Sequence, residues 1–187
     1  MNKLTLTEIG IKYGTDKATY HNFTDFYQAE LQGMEIKTIL EIGILNGSSL
    51  RMWKEFYPDA IVIGLDVQDP LEIPNVICLK GDASDPEVLN RLFGDTQFDL
   101  IIDDGSHKTA DQIATFKQLF YNNLREGGFY ICEDVHTSNR EEYITSEETM
   151  IAYIGKLDFA NIKVKTTWFW KDPTDKTDSG TCLIRKR

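Results

Sequence analysis

The sequence predicts an α/β fold, namely a Rossmann-like, doubly wound and mostly parallel sheet with an antiparallel C-terminal hairpin and a short helical N-terminal prefix. From residue 38 onward, short apolar runs alternate with amphipathic segments, which is typical of a parallel sheet with helices on both faces. Near the C-terminus, two strand-like runs follow each other without a helix between them. Before residue 38 the pattern is helical and contains no strand-like run.

The predicted parallel strands are short and rich in Ile, Leu and Val. Because apolar and polar residues do not alternate in them, both faces of each strand are expected to be buried. These strands span residues 38–42, 61–66, 76–80, 98–103 and 129–133.

Amphipathic segments between these strands predict helices. The first, "SSLRMWKEFY", ends before Pro58. The second begins with Asp85 as its N-cap and Pro86 at its first helical position. The third lies within residues 108–128, and Gly127 is expected to end it. Its apolar stripe consists of Ile113, Phe116, Phe120 and Leu124.

The C-terminal runs "NIKVKTTWFW" and "GTCLIRKR" are joined by the turn-rich segment "KDPTDKTDS". This arrangement predicts a hairpin at the edge of the sheet. Its aromatic residues Trp168, Phe169 and Trp170 could stack on a sugar, but core packing or a dimer surface is the more common use of such a strand. Residues 1–34 predict a helical prefix or lid that is too short to be a domain. No linker interrupts the sequence, so residues 1–187 are expected to form one domain.

The composition limits the partners. A formal net charge of −10 predicts no nucleic-acid or anionic-membrane partner. No apolar stretch is long enough for a membrane helix, and no signal-peptide pattern opens the sequence, so we expect a cytoplasmic protein with a small-molecule substrate, as a monomer or homo-oligomer. Cys78, Cys132 and Cys182 are widely separated among apolar residues and are expected to be reduced core cysteines.

The first predicted strand leads into an ExGxxxG pattern formed by Glu41, Gly43 and Gly47. Ligands of open parallel sheets bind at the carboxyl ends of the strands, and glycines there allow close approach to a ligand. The pattern is neither the GxGxxG of nicotinamide enzymes nor a P-loop, since the P-loop lysine is missing.

Acids at the next two strand ends suggest an adenosine ligand. Asp66 ends the second strand, where a carboxylate can accept hydrogen bonds from a ribose diol, although a helix cap or a loop acid is equally consistent. Asp82 and Ala83, in "KGDAS", lie where an adenine amino group could be met. Because no phosphate-binding motif accompanies these residues, S-adenosylmethionine is favoured over NAD or ATP.

The fourth and fifth strands lead into four carboxylates, Asp103, Asp104, Glu133 and Asp134. Acids gathered at neighbouring strand ends repel one another unless a cation is present, and oxygen ligands favour Mg²⁺ over Ca²⁺ or Mn²⁺. Some alternatives stay open. Asp103 fits equally a helix N-cap or a cofactor contact, and either Glu133 or Asp134 could merely brace a loop.

His107 follows Asp104 by three residues. A metal ion lowers the pKa of a bound hydroxyl group, and a neutral imidazole nearby can take its proton during methyl transfer. We therefore predict His107 as the general base. His136 receives no role, and His21, in the prefix, is expected to be structural or to face the substrate.

The motifs "KYGTDK", "LEIG", "IDDGSH" and "EDVHTS" closely resemble those of metal-dependent class I methyltransferases typified by the mycinamicin and macrocin sugar O-methyltransferases, and related cephalosporin-hydroxylase-like proteins share the pattern. The resemblance extends from Lys12 to about Ser138. It implies S-adenosylmethionine as methyl donor and Mg²⁺ as cofactor, within one methyltransferase domain. The implied metal ligands are Asp104, Glu133 and Asp134, with His107 as base. The implied cofactor positions are Glu41, Gly43, Asp66 and Asp82, with Tyr13 and Thr15 as a lid over the methionine end.

The predicted function is therefore O-methylation of a hydroxyl group on a sugar or similar small molecule. One alternative is another metal-dependent enzyme on the same fold, such as an N-methyltransferase, a hydroxylase or a hydrolase. The missing two-His-one-carboxylate motif argues against an iron oxygenase. The other alternative is a non-catalytic module that binds S-adenosylmethionine, which would have no need of His107.

Overall fold

A computed structural model of the protein describes residues 3–169 and 179–187. Its strands are β1 (Thr38–Ile42), β2 (Ile61–Asp66), β3 (Ile77–Lys80), β4 (Phe98–Asp103), β5 (Leu124–Cys132), β6 (Ile162–Phe169) and β7 (Ser179–Lys186). They form a seven-stranded sheet in the order β3-β2-β1-β4-β5-β7-β6. The first five strands are parallel, whereas β7 pairs antiparallel with both β5 and β6. The predicted Rossmann-like sheet with an antiparallel C-terminal hairpin is confirmed.

The helices are α1 (Leu6–Tyr13), α2 (Asp16–Thr19), α3 (Thr24–Leu31), α4 (Ser48–Phe56), α5 (Pro86–Phe93), α6 (Thr109–Asn122) and α7 (Met150–Ile154). The first three form the predicted helical prefix. Helix α1 begins with a capping box between Thr5 and Glu8. Helix α5 begins as predicted, because the Asp85 carboxylate accepts a hydrogen bond from the Glu87 N–H and Pro86 is the first helical residue.

The boundary between α6 and β5 differs from the prediction. Helix α6 ends at Asn122, and the Asn123 side chain donates hydrogen bonds to the carbonyls of Gly94 and Thr96, which turns the chain out of the helix. Leu124 is therefore the first residue of β5 and not part of the helical stripe. Gly127 lies inside β5 with a φ of 78° and does not end α6. Cys132 is the last residue of β5, so Glu133 follows the strand instead of ending it.

Apolar side chains cover the sheet on both faces. One cluster includes Phe116 of α6, and the other includes Trp53 of α4 and Tyr27 of α3. The central strands β1 and β4 are almost completely buried, so that their carboxyl ends are held in a rigid setting. Cys132 and Cys182 are neighbours across β5 and β7 and are buried, whereas Cys78 is half-buried. Within the described residues, no helix has both the length and the apolar character needed to cross a membrane.

Candidate active site

A cavity of about 570 Å³ lies at the carboxyl ends of β1, β2, β3 and β4. Strand order reverses between β1 and β4, which is where open α/β sheets bind their ligands. The predicted site residues that line this cavity are Thr15, Gly43, Asp66, Asp82, Ala83, Asp103, Asp104, His107 and Asp134. Nine of the thirteen predicted site residues thus share one cavity wall, and their roles remain predictions.

Gly43 permits the closest backbone approach in the cavity wall. Its φ is 87°, and a Cβ atom there would lie 2.0 Å from the carbonyl oxygen of Asp104. The Asp104 N–H donates to the Ile42 carbonyl, which fixes the two strand ends side by side. Gly47 does not line the cavity and instead precedes α4 in a left-handed conformation. Only glycine tolerates the contact at position 43.

Asp66 and Asp82 lie on the side of the cavity formed by β2 and β3. The Asp66 carboxylate accepts hydrogen bonds from the N–H groups of Ile44, at 2.7 Å, and Gln68, at 2.9 Å. Burial alone would raise the pKa of Asp66, but these backbone donors outweigh it and lower the pKa. The Asp82 carboxylate accepts from the Ser84 N–H and hydroxyl. Asp66 is thus held ionised at the end of β2, as a ribose acceptor would need to be.

The sequence did not predict that Lys17 would lie among the acids at the ends of the strands. Its ammonium lies 2.5 Å from Asp104 Oδ2, 2.9 Å from Glu133 Oε2 and 3.3 Å from Glu41 Oε1. The Lys17 side chain is only 1% exposed. Burial would lower the pKa of this ammonium, but the surrounding carboxylates outweigh burial and raise the pKa well above its ordinary value. Lys17 is therefore a buried cation that connects the helical prefix to the ends of β1, β4 and β5.

The buried acids around Lys17 have raised pKa values. Burial raises the pKa of Glu41 to about 7, against the opposing charge of Lys17. It also raises the pKa of Glu133 well above its usual range. Outside this group, burial raises the pKa of Asp103 to about 6, although the Tyr130 hydroxyl donates a hydrogen bond of 2.8 Å to that carboxylate. One ammonium does not fully compensate these acids, so a further cation would favour their ionised forms.

Asp103 is not a helix N-cap, which removes one of the two alternatives left open by the sequence. Helix α6 begins at Thr109 and is preceded by Lys108 at the N-cap position, whereas the Asp103 carboxylate contacts Tyr130 in the core. Asp103 also lines the cavity and remains a candidate for a cofactor contact.

Asp104, His107 and Asp134 form a cluster of potential metal ligands, with one ligand atom from each within 4.8 Å of the others. His107 Nε2 lies 3.6 Å from Asp134 Oδ2. Asp134 Oδ1 and Glu133 Oε1 are buried and have no hydrogen-bond partner in the described structure. Of the three predicted metal ligands, the structure brings Asp104 and Asp134 together beside His107, while Glu133 faces Lys17 through its other carboxylate oxygen.

All three histidines of the chain lie near the Asp134 carboxylate. Besides His107, the Nδ1 atoms of His136 and His21 lie 3.7 Å and 4.0 Å from Asp134 Oδ1. His136 Nδ1 accepts a hydrogen bond from the Gly180 N–H, and His21 Nδ1 lies 2.6 Å from the Ser179 hydroxyl. Strand β7 and the prefix bring these residues together, and no local sequence pattern could have shown it.

Besides Gly47, three predicted residues lie outside the cavity wall, namely Tyr13, Glu41 and Glu133. The Tyr13 hydroxyl donates to Glu55 of α4 at 2.6 Å, whereas Thr15 and its neighbours on either side reach the cavity. The structure describes Trp168 and Phe169 only as backbone of β6, and Trp170 and the connector up to residue 178 lie outside the described residues, so the predicted use of this aromatic stretch stays a prediction.

No protein-family model matches the chain. The chain is 36% identical over 146 residues to the L-olivosyl-oleandolide 3-O-methyltransferase of Streptomyces antibioticus, which covers 71% of this chain and 38% of that protein. It is also 36% identical over 152 residues to the demethylmacrocin O-methyltransferase of Streptomyces fradiae, covering 73% and 38%.

Among solved structures, the chain is similar to the MycE methyltransferase from the mycinamycin biosynthetic pathway in complex with Mg, SAH and mycinamycin VI. The TM-score is 0.81 at 27% identity, over 99% of this chain and 55% of that one. The chain thus spans about two-fifths of the curated relatives it matches and about half of this structure. These comparisons confirm the predicted resemblance: the chain is a homologue of the sugar O-methyltransferases and has their Rossmann-like fold.

Proposed function

We propose that this chain is an S-adenosylmethionine- and Mg²⁺-dependent O-methyltransferase that acts on a hydroxyl group of a sugar or a sugar-containing small molecule. One observation carries the proposal. The cluster of Asp104, His107 and Asp134 follows β4 and β5 and lines the same cavity as the predicted adenosine contacts Asp66 and Asp82, which lie at the ends of β2 and β3 on the other side of β1. The names of the relatives, and the Mg and SAH bound to MycE, support the same chemistry.

The cofactor would lie along the cavity. Asp66, held ionised by backbone donors, would accept hydrogen bonds from the ribose hydroxyls, and Asp82 and Ala83 would contact the adenine. Gly43 would allow the chain to approach the cofactor closely, Thr15 would cover its methionine end, and Asp103 would contact it from the end of β4.

Three predicted cofactor residues would act indirectly, because they do not line the cavity. Glu41 would act through Lys17, Gly47 through the turn into α4, and Tyr13 by holding α1 against Glu55.

The donor set fits Mg²⁺. Asp104, Glu133 and Asp134 offer carboxylate oxygens, which hard divalent cations prefer, and Glu133 Oε1 and Asp134 Oδ1 are buried without a partner. Such orphaned oxygens are costly unless a cation or a donor satisfies them. We propose these three residues as the metal ligands.

The reaction transfers a methyl group from sulfur to oxygen. When bound, S-adenosylmethionine supplies the methyl group, and Mg²⁺ stabilises the negative charge that develops on the acceptor oxygen. His107 Nε2 accepts the proton that the hydroxyl group loses as its oxygen–carbon bond forms. The Asp134 carboxylate, 3.6 Å from this atom, stabilises the imidazolium that results. The methyl–sulfur bond of the cofactor would break as this oxygen–carbon bond forms, which would leave a neutral thioether.

An iron oxygenase is the less suitable alternative. Among the described residues, the one group with metal-ligand geometry contains two carboxylates and one imidazole, which is not the two-His-one-carboxylate motif. His136 Nδ1 is already occupied by the Gly180 N–H.

Calorimetry on the purified protein tests the proposal directly. We expect S-adenosylmethionine and Mg²⁺ each to bind the wild type. Asp104→Ala and Glu133→Ala should abolish metal-dependent turnover while leaving cofactor affinity nearly intact, since neither residue lies on the adenosine side. Glu126→Ala, an exposed acid at the other end of β5, is the control and should behave as wild type. Absence of S-adenosylmethionine binding by the wild type would remove the proposal, and so would turnover that is unchanged in chelator.

The domain assignment and the setting of the protein stay part of the proposal. We treat residues 1–187 as one methyltransferase domain with residues 1–34 as its lid or prefix, which the contact between Lys17 and the acids of the sheet edge supports. A cytoplasmic location, assembly into a homo-oligomer and the lack of a nucleic-acid partner remain predictions of the sequence.

A further inference from the structure

We propose that Lys17 is the internal counter-cation of the acid cluster. Its charge keeps the carboxylates together when no divalent ion is bound, and the same charge weakens the binding of that ion. This inference rests on the metal site of the proposed function. Lys17 would be a positioning residue, since it contacts the carboxylates and not the reacting atoms.

The contacts of the ammonium support the first half of this inference. Asp104 Oδ2, Glu133 Oε2 and Glu41 Oε1 all lie within 3.3 Å of Lys17 Nζ. These acids belong to three adjacent strand ends, and without a positive charge between them they would repel one another across a buried space. The ammonium therefore holds them in place when no metal ion is bound.

The unused oxygens show where a second cation can act. Lys17 occupies only one oxygen of Glu133, and the other, Oε1, is buried without a hydrogen-bond partner. Asp134 Oδ1 is likewise buried and unpartnered, and no ion pair joins Asp134 to Lys17 among the contacts of the described residues. Glu133 Oε1 and Asp134 Oδ1 are thus available to bind a divalent ion while the ammonium of Lys17 pairs with the other oxygen of Glu133 and with Asp104.

Coulomb repulsion supports the second half. A divalent ion bound by Asp104 and Glu133 would share both carboxylates with the ammonium, so the charge of Lys17 opposes its binding. Removing that charge increases the negative potential at the site and frees Glu133 to turn toward the ion. The affinity for Mg²⁺ should therefore rise when a substitution removes the charge of Lys17.

The position of Lys17 in the chain extends this effect to the cavity. Residues 14–16, which immediately precede it, line the cavity, and the ion pair between Lys17 and Asp104 connects this segment to the edge of the sheet. The acid cluster and the wall over the cavity are therefore held by the same ion pairs.

The variant Lys17→Met, which keeps the length of the side chain but removes its charge, tests the inference. Mg²⁺ affinity is measured by calorimetry without cofactor, and thermal unfolding is followed with and without Mg²⁺. We expect Mg²⁺ to bind about tenfold more tightly than to the wild type, since one unit charge beside a divalent ion has an effect of this order. The metal-free variant should unfold at a lower temperature, and saturating Mg²⁺ should restore most of the difference. Lys12→Met, an exposed lysine of the same prefix that pairs with Glu55, should leave Mg²⁺ affinity unchanged.

Weaker or equal Mg²⁺ binding by Lys17→Met, or unchanged metal-free stability, would overturn the inference. If wild-type protein binds neither Mg²⁺ nor S-adenosylmethionine, the proposed function itself has failed. Should Lys17→Met not fold, the pair Glu41→Gln and Lys17→Met/Glu41→Gln makes the same comparison with one acid fewer, because Glu41 is not a proposed metal ligand. The double variant is expected to bind Mg²⁺ more tightly than Glu41→Gln, and equal or weaker binding would again contradict the inference.

Discussion

At Gly43 the backbone that follows β1 approaches the end of β4 so closely that a single methyl group does not fit. A Cβ atom at this position would lie 2.0 Å from the Asp104 carbonyl oxygen, and the φ of 87° is itself unfavourable for other residues. The same contact places Asp104 at the cavity. One residue without a side chain thus sets the separation between the ends of β1 and β4 at the cavity.

We expect Gly43→Ala to lower the free energy of unfolding by roughly 2–5 kcal/mol, from left-handed strain together with overpacking. Gly127→Ala is the matched control, because Gly127 also has a positive φ, of 78°, but no atom lies within 4 Å of a Cβ there. The control should lose only about 1–2 kcal/mol. Urea unfolding measures both, and calorimetry should show weakened S-adenosylmethionine binding for Gly43→Ala alone. Equal losses in the two variants would mean that the contact with Asp104 is unimportant.

Among the individual residues, the sequence predicted those that belong to local patterns and missed those whose position depends on long-range contacts. Gly43, Asp66 and Asp104 lie at or directly after the ends of apolar strands, so that their position at the sheet edge could be deduced. Lys17 lies 87 positions from Asp104 and 116 from Glu133, and nothing around it indicates burial among acids. The role of Lys17 depends on how the helical prefix packs against the sheet, which is a tertiary contact that no local pattern shows.

Among the strands, the Asp99 carboxylate connects the ends that lie opposite the cavity. Asp99, near the start of β4, accepts hydrogen bonds from the N–H groups of Lys37 and Thr38, and Arg125 lies 2.6 Å from its other carboxylate oxygen. The carboxylate thereby joins the beginnings of β1, β4 and β5. Because it lies at the far end of the sheet, it is expected to matter for stability and not for chemistry.

Asp99→Ala should reduce the free energy of unfolding by about 2–4 kcal/mol, because two partly buried backbone donors and a guanidinium lose their charged acceptor. Affinity for S-adenosylmethionine should stay within about twofold, since the cavity end of the strands is untouched. Asp95→Ala, an exposed acid just before β4, should change stability by less than about 0.5 kcal/mol. Chemical denaturation and calorimetry on the three proteins decide the matter. A strong loss of cofactor affinity in Asp99→Ala would contradict a purely structural role.

Element boundaries were predictable where local chemistry marks them. Asp85 and Pro86 begin α5 as expected, because N-cap and first-position preferences act within one turn. The end of α6 was not predictable, since the apolar spacing continues through Leu124 while the Asn123 side chain, bonded to Gly94 and Thr96, ends the helix. The spacing of apolar residues carries no information about a long-range hydrogen bond of this kind.

For the whole molecule, the alternation of strands and helices was sufficient to predict the sheet, because each parallel strand and its crossover helix is a short-range unit. The hairpin was likewise visible in the sequence. What could not be predicted is how α1–α3 and β7 close over the carboxyl edge, where they bring Lys17, His21 and Ser179 to the acids of β4 and β5. Contacts between the two ends of the chain complete the site.

The overall charge leads to a prediction about partners. With a formal net charge of −10 and a cavity lined by acids such as Asp66, Asp82, Asp104 and Asp134, the molecule should repel polyanions. We expect fluorescence anisotropy to show no binding of structured or single-stranded RNA, even at low salt, where electrostatic attraction is strongest. A basic RNA-binding protein serves as the positive control for the assay. Binding that weakens steeply with added salt would reveal a local basic surface strong enough to overcome the net charge, and the acceptor would then have to be sought among nucleic acids instead of small sugars.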